Sequence, residues 1–369
     1  MKQPFYIYGA GIVAASVYTA IKELYRQVPA AFLVSDLGGN PSEIDGICVM
    51  QMSKKGTLDN NNHKSKILIA APIVHLSSIV ERLYSMGVSK EQIIIVDNMM
   101  ENELMERYYN KISEITIDSL LNVEDKSVIN FFKVNKNDKR DSVFVGQAKC
   151  HADKPLNKAA ELPAYVTPIQ VGAALTSQVI AGLQDNQGDN ISIKNSIYCE
   201  LTAGYYIWKN SCAEYKGLCH YRRIFDIDDV KMKQLLEIRE AWDVILPYPS
   251  VHYPDISKQH SRYIDETDWD ALQQALKETA SEYYGKFDHI FQKQFFYNYN
   301  MLIARREVFD DYCSFLFSVL GRTEELTNPK GWERSDRFAG YLGENLTTLY
   351  FMANRDKLKI IHTGKILLV

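Results

Sequence analysis

The segment PFYIYGAGIVAASVYTAIKELYRQ constrains the fold more than any other stretch. An apolar strand-like run meets a glycine turn, then a helix in which Val13, Val17, Ala20, Ile21 and Leu24 recur at helical spacing. The runs AAFLVSD, GICVM, ILIAA and QIIIVD follow, with the helical VHLSSIVERLYSMG between the last two. Strands alternating with helices predict a small Rossmann-like parallel sheet over residues 1–98. Gly9, Gly11 and Ala14 form a G-x-G-x-x-A turn at which a helix N-terminus can meet an anion, and Asp36 ends the second strand, where an acid can take a ribose. The same glycines also suit close packing of helix on strand, so the turn reads either as a nucleotide site or as a packing device.

At 369 residues the chain is long enough for two domains at ~150 residues each. From Met99 the sequence turns charged and helical and ends in KVNKNDKRD, which predicts a helical linker over 99–141. SVFVGQAKCHADKP then opens a second α/β domain over 142–369. A net charge of −4 excludes a strongly basic footprint, so no nucleic acid partner is expected. The six cysteines show no Cys-x-x-Cys pair and read as free thiols rather than zinc ligands. The N-terminus lacks signal-peptide features, and no run approaches the ~18 apolar residues of a membrane span, which predicts a cytoplasmic protein whose membrane contact is at most peripheral.

Specific polar groups set among aromatic ones concentrate between Pro168 and Phe225. Asp185, Asp189, Asn190, Ser192 and Asn195 crowd one loop around Gly188; they suit turn chemistry, or a grip on a ribose, a base edge or a sugar. In the helix expected from about Ser196, Tyr198, Leu201, Tyr205 and Trp208 share a core-facing stripe, with Glu200 at its start, where a carboxylate suits the helix dipole.

GLCHYRRIF follows. As one continuous strand it would place Leu218, His220 and Arg222 on one face and Cys219, Tyr221 and Arg223 on the other. At the C-terminal end of a strand in an open α/β sheet, a guanidinium can hold a phosphate through two parallel hydrogen bonds and stabilise a departing diphosphate. The alternative is that one arginine pairs with an acid and the other is solvated.

Residues 142 to 369 resemble the bacterial capsular and exopolysaccharide glycosyltransferases grouped as domain of unknown function 4422. The resemblance rests on an ordered series: CHADKP, TPIQVGAAL, DNQGDNISIKNSIYCELTAGYYIWKN, KGLCHYRRIF, DVILPYP, YNYNMLIARREVFDDYCSFLF and RFAGYLGENL. It implies a GT-A-like enzyme that moves a hexose, galactofuranose or galactose being the ones it suggests, from a probe-able class of donor, the UDP-linked nucleotide sugars, to a lipid-linked saccharide at the inner membrane face. On that resemblance Glu344, Arg222, Arg223 and His220 are the catalytic candidates. Asp185, Asp189, Asn190, Lys194, Glu200, Tyr221, Asn298, Asn300 and Gly340 form the donor-binding set. Asn298 and Asn300 would share a strand face in FFYNYNMLIARREVF.

Many GT-A enzymes hold a divalent metal with an Asp-x-Asp pair. Here Asp226 and Asp228 come a few residues after the cationic cluster, ahead of the helix DVKMKQLLEIREAW, and fit either Mg²⁺ or Mn²⁺ binding or a helix cap. Where the family pattern places arginine after the glutamate, this chain has Asn345. The loop PSVHYPDISKQHSRYIDE is a candidate lid, and Arg355, Lys357, Lys359 and Lys365 offer either an anionic-membrane contact or a strand with solvated lysines. Two other functions compete: a nucleotide-sugar-binding protein without turnover, and an NAD(P)-dependent oxidoreductase using the N-terminal glycine turn.

Overall fold

The computed structural model describes residues 4–52, 65–122, 143–156 and 161–368. The chain divides into two compact units, the first comprising Met1–Ser113 with Ser250–Asp255, and the second Glu114–Pro249 with Ile256–Val369.

In the first unit, β1 (Phe5–Tyr8), β2 (Phe32–Val34), β3 (Glu43–Ile44), β4 (Ile47–Gln51), β5 (Lys66–Ile69) and β6 (Ile93–Ile95) form a sheet in the order β3-β4-β2-β1-β5-β6. All pairings are parallel except β3 on β4. The apolar run of β1 reflects its central place, with Ile7 and Tyr8 buried. Gly9 then takes φ +130°, and a Cβ there would lie 2.3 Å from the Ala70 carbonyl oxygen, so close packing of the turn on the end of β5 accounts for this glycine. Gly11 precedes the Ile12–Tyr25 helix with open space around it. Asp36 is exposed and accepts from the Gly38 N–H at 3.1 Å.

The first unit extends beyond the boundary at residue 98 expected from the sequence. The Asn98–Lys111 helix, N-capped by Asp97, buries Met105, Tyr108 and Tyr109, and Arg107 donates to the Tyr25 hydroxyl at 2.8 Å. Three apolar residues at helical spacing inside a charged run are enough to dock it. The remainder of the expected linker, from residue 123, lies outside the described residues.

The second unit is built on a nine-stranded mixed sheet. Its main path joins β7 (Val143–Lys149), β8 (Val166–Gln170), β9 (Leu183–Gln184), β10 (Tyr215–His220) and β12 (Val244–Pro247). After β13 (Ser250–Val251), which belongs to the first unit, and the short β14 (Phe295–Phe296), β15 (Leu302–Arg305) and β16 (Ile360–Thr363) complete it, in the order β16-β12-β15-β10-β7-β8-β9. β15 runs antiparallel to both of its neighbours, and the other pairs on this path are parallel. β11 (Arg223–Phe225) folds back on β10 and pairs with β17 (Lys365–Leu367). Long helices Glu266–Thr279, Arg306–Leu326 and Phe338–Ala353 supply much of the core on one face.

Two expected elements are interrupted. The helix expected from Ser196 breaks at Cys199, which takes φ +51°, into Asn195–Tyr198 and Leu201–Asn210. The Cys199 carbonyl at the break is satisfied by the Asn195 side-chain amide at 2.7 Å and the Thr202 hydroxyl at 3.1 Å. In FFYNYNMLIARREVF, the chain passes from β14, which lies outside the nine-stranded sheet, into that sheet at Leu302 through Tyr299 and Asn300, which both take positive φ, +73° and +50°. Asn298 and Asn300 therefore do not alternate along one strand.

Candidate active site

β10 ends at His220 and β11 begins at Arg223, and these two residues pair directly in the antiparallel register. Tyr221 and Arg222 form the turn between them. The continuous-strand alternation expected from GLCHYRRIF is therefore replaced by a hairpin. Directly opposed residues of an antiparallel pair project from the same face, so His220 and Arg223 point together and Arg222 sits at the tip.

The Arg222 N–H approaches His220 Nδ1 at 3.4 Å, which leaves the imidazole proton on Nε2. Burial, with the charges of Arg223, Arg222 and Arg337, lowers the His220 pKa to about 3, so the ring is neutral at physiological pH. Arg223 lies 4.0 Å over the Tyr299 ring, and Arg222 5.0 Å from that of Tyr221. Among the described residues the Nε of Arg222 is buried without a hydrogen-bond partner.

Beside the hairpin lie two carboxyls from distant parts of the chain, held by adjacent residues. Glu344 Oε1 accepts the Tyr299 N–H at 2.8 Å, and Glu200 Oε1 accepts the Asn300 side-chain amide at 2.8 Å. Asn300 is fully buried and also donates to the Gly340 carbonyl at 3.1 Å. The positive-φ pair Tyr299–Asn300 is what turns one donor toward each carboxyl.

Burial, then the neighbouring Glu200 charge, raises the Glu344 pKa to about 8, with the Tyr299 N–H and Arg223 opposing. Burial also raises that of Glu200, against the Asn300 hydrogen bond. Gly343 lets the helix pass this close: a Cβ there would meet Leu201 at 2.6 Å and Asn300 Oδ1 at 3.1 Å.

Two adjoining cavities open beside these groups; Arg222, Arg223 and Asn300 are not among the residues that line them. One, of about 250 Å³, is bordered by Asp153, Asn195, Ser196, Tyr221 and Ser335 among others. The second, of about 120 Å³, is bordered by Tyr299, Gly340, Tyr341 and Glu344. Cys199, Glu200, His220 and Arg337 line both. Arg337, Tyr341 and Glu344 follow at i, i+4 and i+7, one face of the Phe338–Ala353 helix continued back to its N-cap. The loop before that helix is fixed by Arg334, which grips buried Asp268 with two hydrogen bonds of 2.6 Å.

Residues 148–355 match the family described as Domain of unknown function (DUF4422). The chain belongs to this family. Among solved structures, the DUF4422 chain is similar to the apo structure of the bifunctional glycosyltransferase WbbM, at 26% identity and a TM-score of 0.53. The similarity covers 62% of this chain and 45% of that one, so the chain spans less than half the length of this relative. The fold is α/β and GT-A-like in its second unit. No curated protein sequence matches the chain.

Within the DUF4422 chain, several sequence candidates are placed away from the two cavities. Asp185 is fully buried and accepts from the Gly172 and Ala173 N–H groups and the Ser192 hydroxyl, so its carboxylate shapes the loop after β8. Asp189 accepts from the Tyr205 hydroxyl at 3.2 Å, and the Asn190 amide bonds the Gly188 carbonyl. Lys194 pairs with Glu324 at 2.8 Å. Asn298 is half-buried next to Tyr299.

Asp228 caps the Asp229–Glu237 helix, accepting from the Lys231 N–H at 2.7 Å, and Asp226 is half-buried before it. Among the described residues no three His, Cys, Asp or Glu gather into a set that could hold a metal ion. Of the C-terminal cations, Arg355 pairs with Glu114, Lys359 bonds the Glu240 carbonyl and Lys365 lies 5.9 Å from the Tyr299 ring. In the candidate lid, His260 is buried and stacks on Trp269 at 3.9 Å. Among the described residues no helix is long and apolar enough to cross a membrane.

Sequence reasoning missed Arg337, Tyr299, Tyr341 and Asp153. The i, i+4, i+7 spacing of Arg337, Tyr341 and Glu344 was the available signal for two of them.

Proposed function

We propose that the second unit transfers a hexosyl group from a nucleotide-diphospho-sugar to a saccharide hydroxyl. The observation that carries this reading is the meeting, at the seam of two cavities, of Arg337 and a neutral His220 with two carboxyls of raised pKa, beside the hairpin that carries Arg222 and Arg223. A cation shared by two cavities, one of which also holds a base, suits a two-substrate transfer.

The donor diphosphate sits in the larger cavity, against Arg337 and toward Arg222 and Arg223 of the neighbouring hairpin, with the His220 Nε2–H as a neutral donor. The acceptor oxygen attacks C1 of the donor sugar, and the bond from C1 to the diphosphate breaks. The electron pair leaves on the diphosphate oxygen, where the guanidinium charges stabilise it, and the acceptor proton passes to Glu344. A base with a pKa near the working pH is best matched to that step. Glu200 orients a sugar hydroxyl and, through its charge, keeps Glu344 basic. Cationic side chains in this scheme supply the electrostatic stabilisation that a divalent metal gives in other GT-A enzymes.

We extend the reading, on the family resemblance, to a UDP-linked hexose, with galactose and galactofuranose first to be tried, and to a lipid-linked oligosaccharide acceptor in capsule or exopolysaccharide synthesis. The test is UDP release from a panel of UDP-hexoses with membrane-extracted lipid-linked saccharides. Acceptor-dependent release that disappears in Glu344→Gln supports the proposal. Binding of UDP-hexoses without release under any acceptor would favour a sensor instead.

A further inference from the structure

Tyr341 and Tyr263 form a stacked aromatic pair that the transfer scheme leaves unused. Their ring centroids are 4.8 Å apart and the planes differ by 10°. Tyr341 borders the smaller cavity on the same helix face as Glu344, three residues away. Tyr263 continues the pair outward and is 49% exposed.

The outer ring is not a loose surface side chain. The Tyr263 N–H donates to the His260 carbonyl at 3.0 Å, and His260 is itself buried flat against Trp269. A large aromatic held at such a fixed base yet left half open to solvent suits a ligand with an apolar face and polar edges.

We propose that Tyr341 and Tyr263 form the acceptor subsite, an aromatic wall against which the C–H face of the acceptor's terminal sugar ring packs while its hydroxyl reaches Glu344. This rests on the transferase reading. The choice of acceptor over donor follows from position: Glu344 lines only the smaller cavity, which the wall borders, whereas the larger cavity is bordered by Tyr221 of the cationic hairpin turn. A neutral saccharide is the substrate class that matches rings and a carboxyl together. Tyr341 is then a substrate-contacting residue, and Tyr263 sets affinity for the ring that precedes the reacting hydroxyl.

The test is saturation-transfer NMR on the full chain with methyl glycosides of galactose, glucose and mannose, alongside calorimetry with UDP. The proteins compared are wild type, Tyr263→Ala, Tyr341→Ala and Tyr341→Phe, each checked by thermal unfolding. Expected are ring C–H signals from at least one glycoside in wild type and Tyr341→Phe. Binding should weaken about fivefold to tenfold in Tyr263→Ala and vanish in Tyr341→Ala, with UDP affinity unchanged throughout.

Glycoside signals that persist in both alanine variants, or no glycoside signal in wild type, overturn the subsite. Because Tyr263 is exposed, its variant tests the wall even if Tyr341→Ala fails to fold. Glycoside binding lost on cue in a protein that does not bind UDP would uphold the saccharide wall and sink the donor assignment instead.

Discussion

His220 and Arg223 face each other across a two-residue turn, paired in antiparallel register at the end of the central strand β10. That pairing puts a neutral imidazole and a guanidinium on one face, and it brings Arg222 to the tip with its Nε buried and, among the described residues, without a partner. A buried donor of this kind is costly to leave unsatisfied, which is a reason to expect an anion beside it.

Removing either guanidinium should therefore cost turnover more than stability. Arg222→Ala and Arg223→Ala are each expected to lower kcat by about 10²-fold, the loss typical of one donor to a developing anion. Thermal unfolding of Arg222→Ala should stay within a few degrees of wild type. Full activity in both variants would remove the arginines from the chemistry.

Activity should rise with pH. Glu344, with its pKa raised to about 8, accepts a proton only when ionised. Below that value the ionised fraction, and with it kcat, is expected to fall about tenfold per pH unit, levelling above about pH 8. A steady-state profile from about pH 6 to pH 9 checks this, and a flat profile with chemistry rate-limiting would contradict a Glu344 base.

The same carboxyl should limit stability. Its folded pKa lies above the ordinary value of 4.5, so the folded state binds this proton more tightly than the unfolded chain does. The resulting stabilisation is complete below about pH 4.5 and is lost as pH rises toward about 8. Glu344→Gln stays neutral and keeps an acceptor for the Tyr299 N–H. It is expected to be inactive yet more stable than wild type near pH 8, by on the order of 1 kcal/mol, with the difference shrinking toward pH 5. Denaturant melts at the two pH values measure it.

Asn300 is expected to act by positioning. Asn300→Ala removes the amide that holds Glu200 and places alanine at a φ of +50°, so a loss of about 2–3 kcal/mol in stability is expected together with lower kcat. Asn300→Gly relieves the backbone cost but not the lost hydrogen bonds; it should recover part of the stability and none of the activity. Recovery of both would assign Asn300 to backbone geometry alone.

The parallel strands of both units were legible because buried central strands write long apolar runs, as at PFYIY. The hairpin was not. Its turn residues are Tyr221 and Arg222, without glycine, asparagine or proline, so a period-two reading runs through it. The break at Cys199 and the positive φ at Tyr299 likewise fall on residues that give no local warning; the Asn195 side chain holds the first, and the distant Glu344 carboxyl accepts from the second.

The acidic loop around Asp185 misled for the opposite reason. Its carboxylate and amides are conspicuous in sequence, yet the Asp185 carboxylate satisfies backbone groups after β8 and the Asn190 amide one of its own loop. By contrast, Arg337 and Tyr341 carried a readable helical spacing with Glu344 that was not used.

The most direct measurement is calorimetric titration of UDP into the full chain and into the Arg222→Ala, Arg223→Ala double variant, in EDTA. A diphosphate clamp made by these side chains predicts binding by wild type without added metal and at least about 10²-fold weaker binding by the folded double variant. Equal UDP affinity in the two proteins would contradict it.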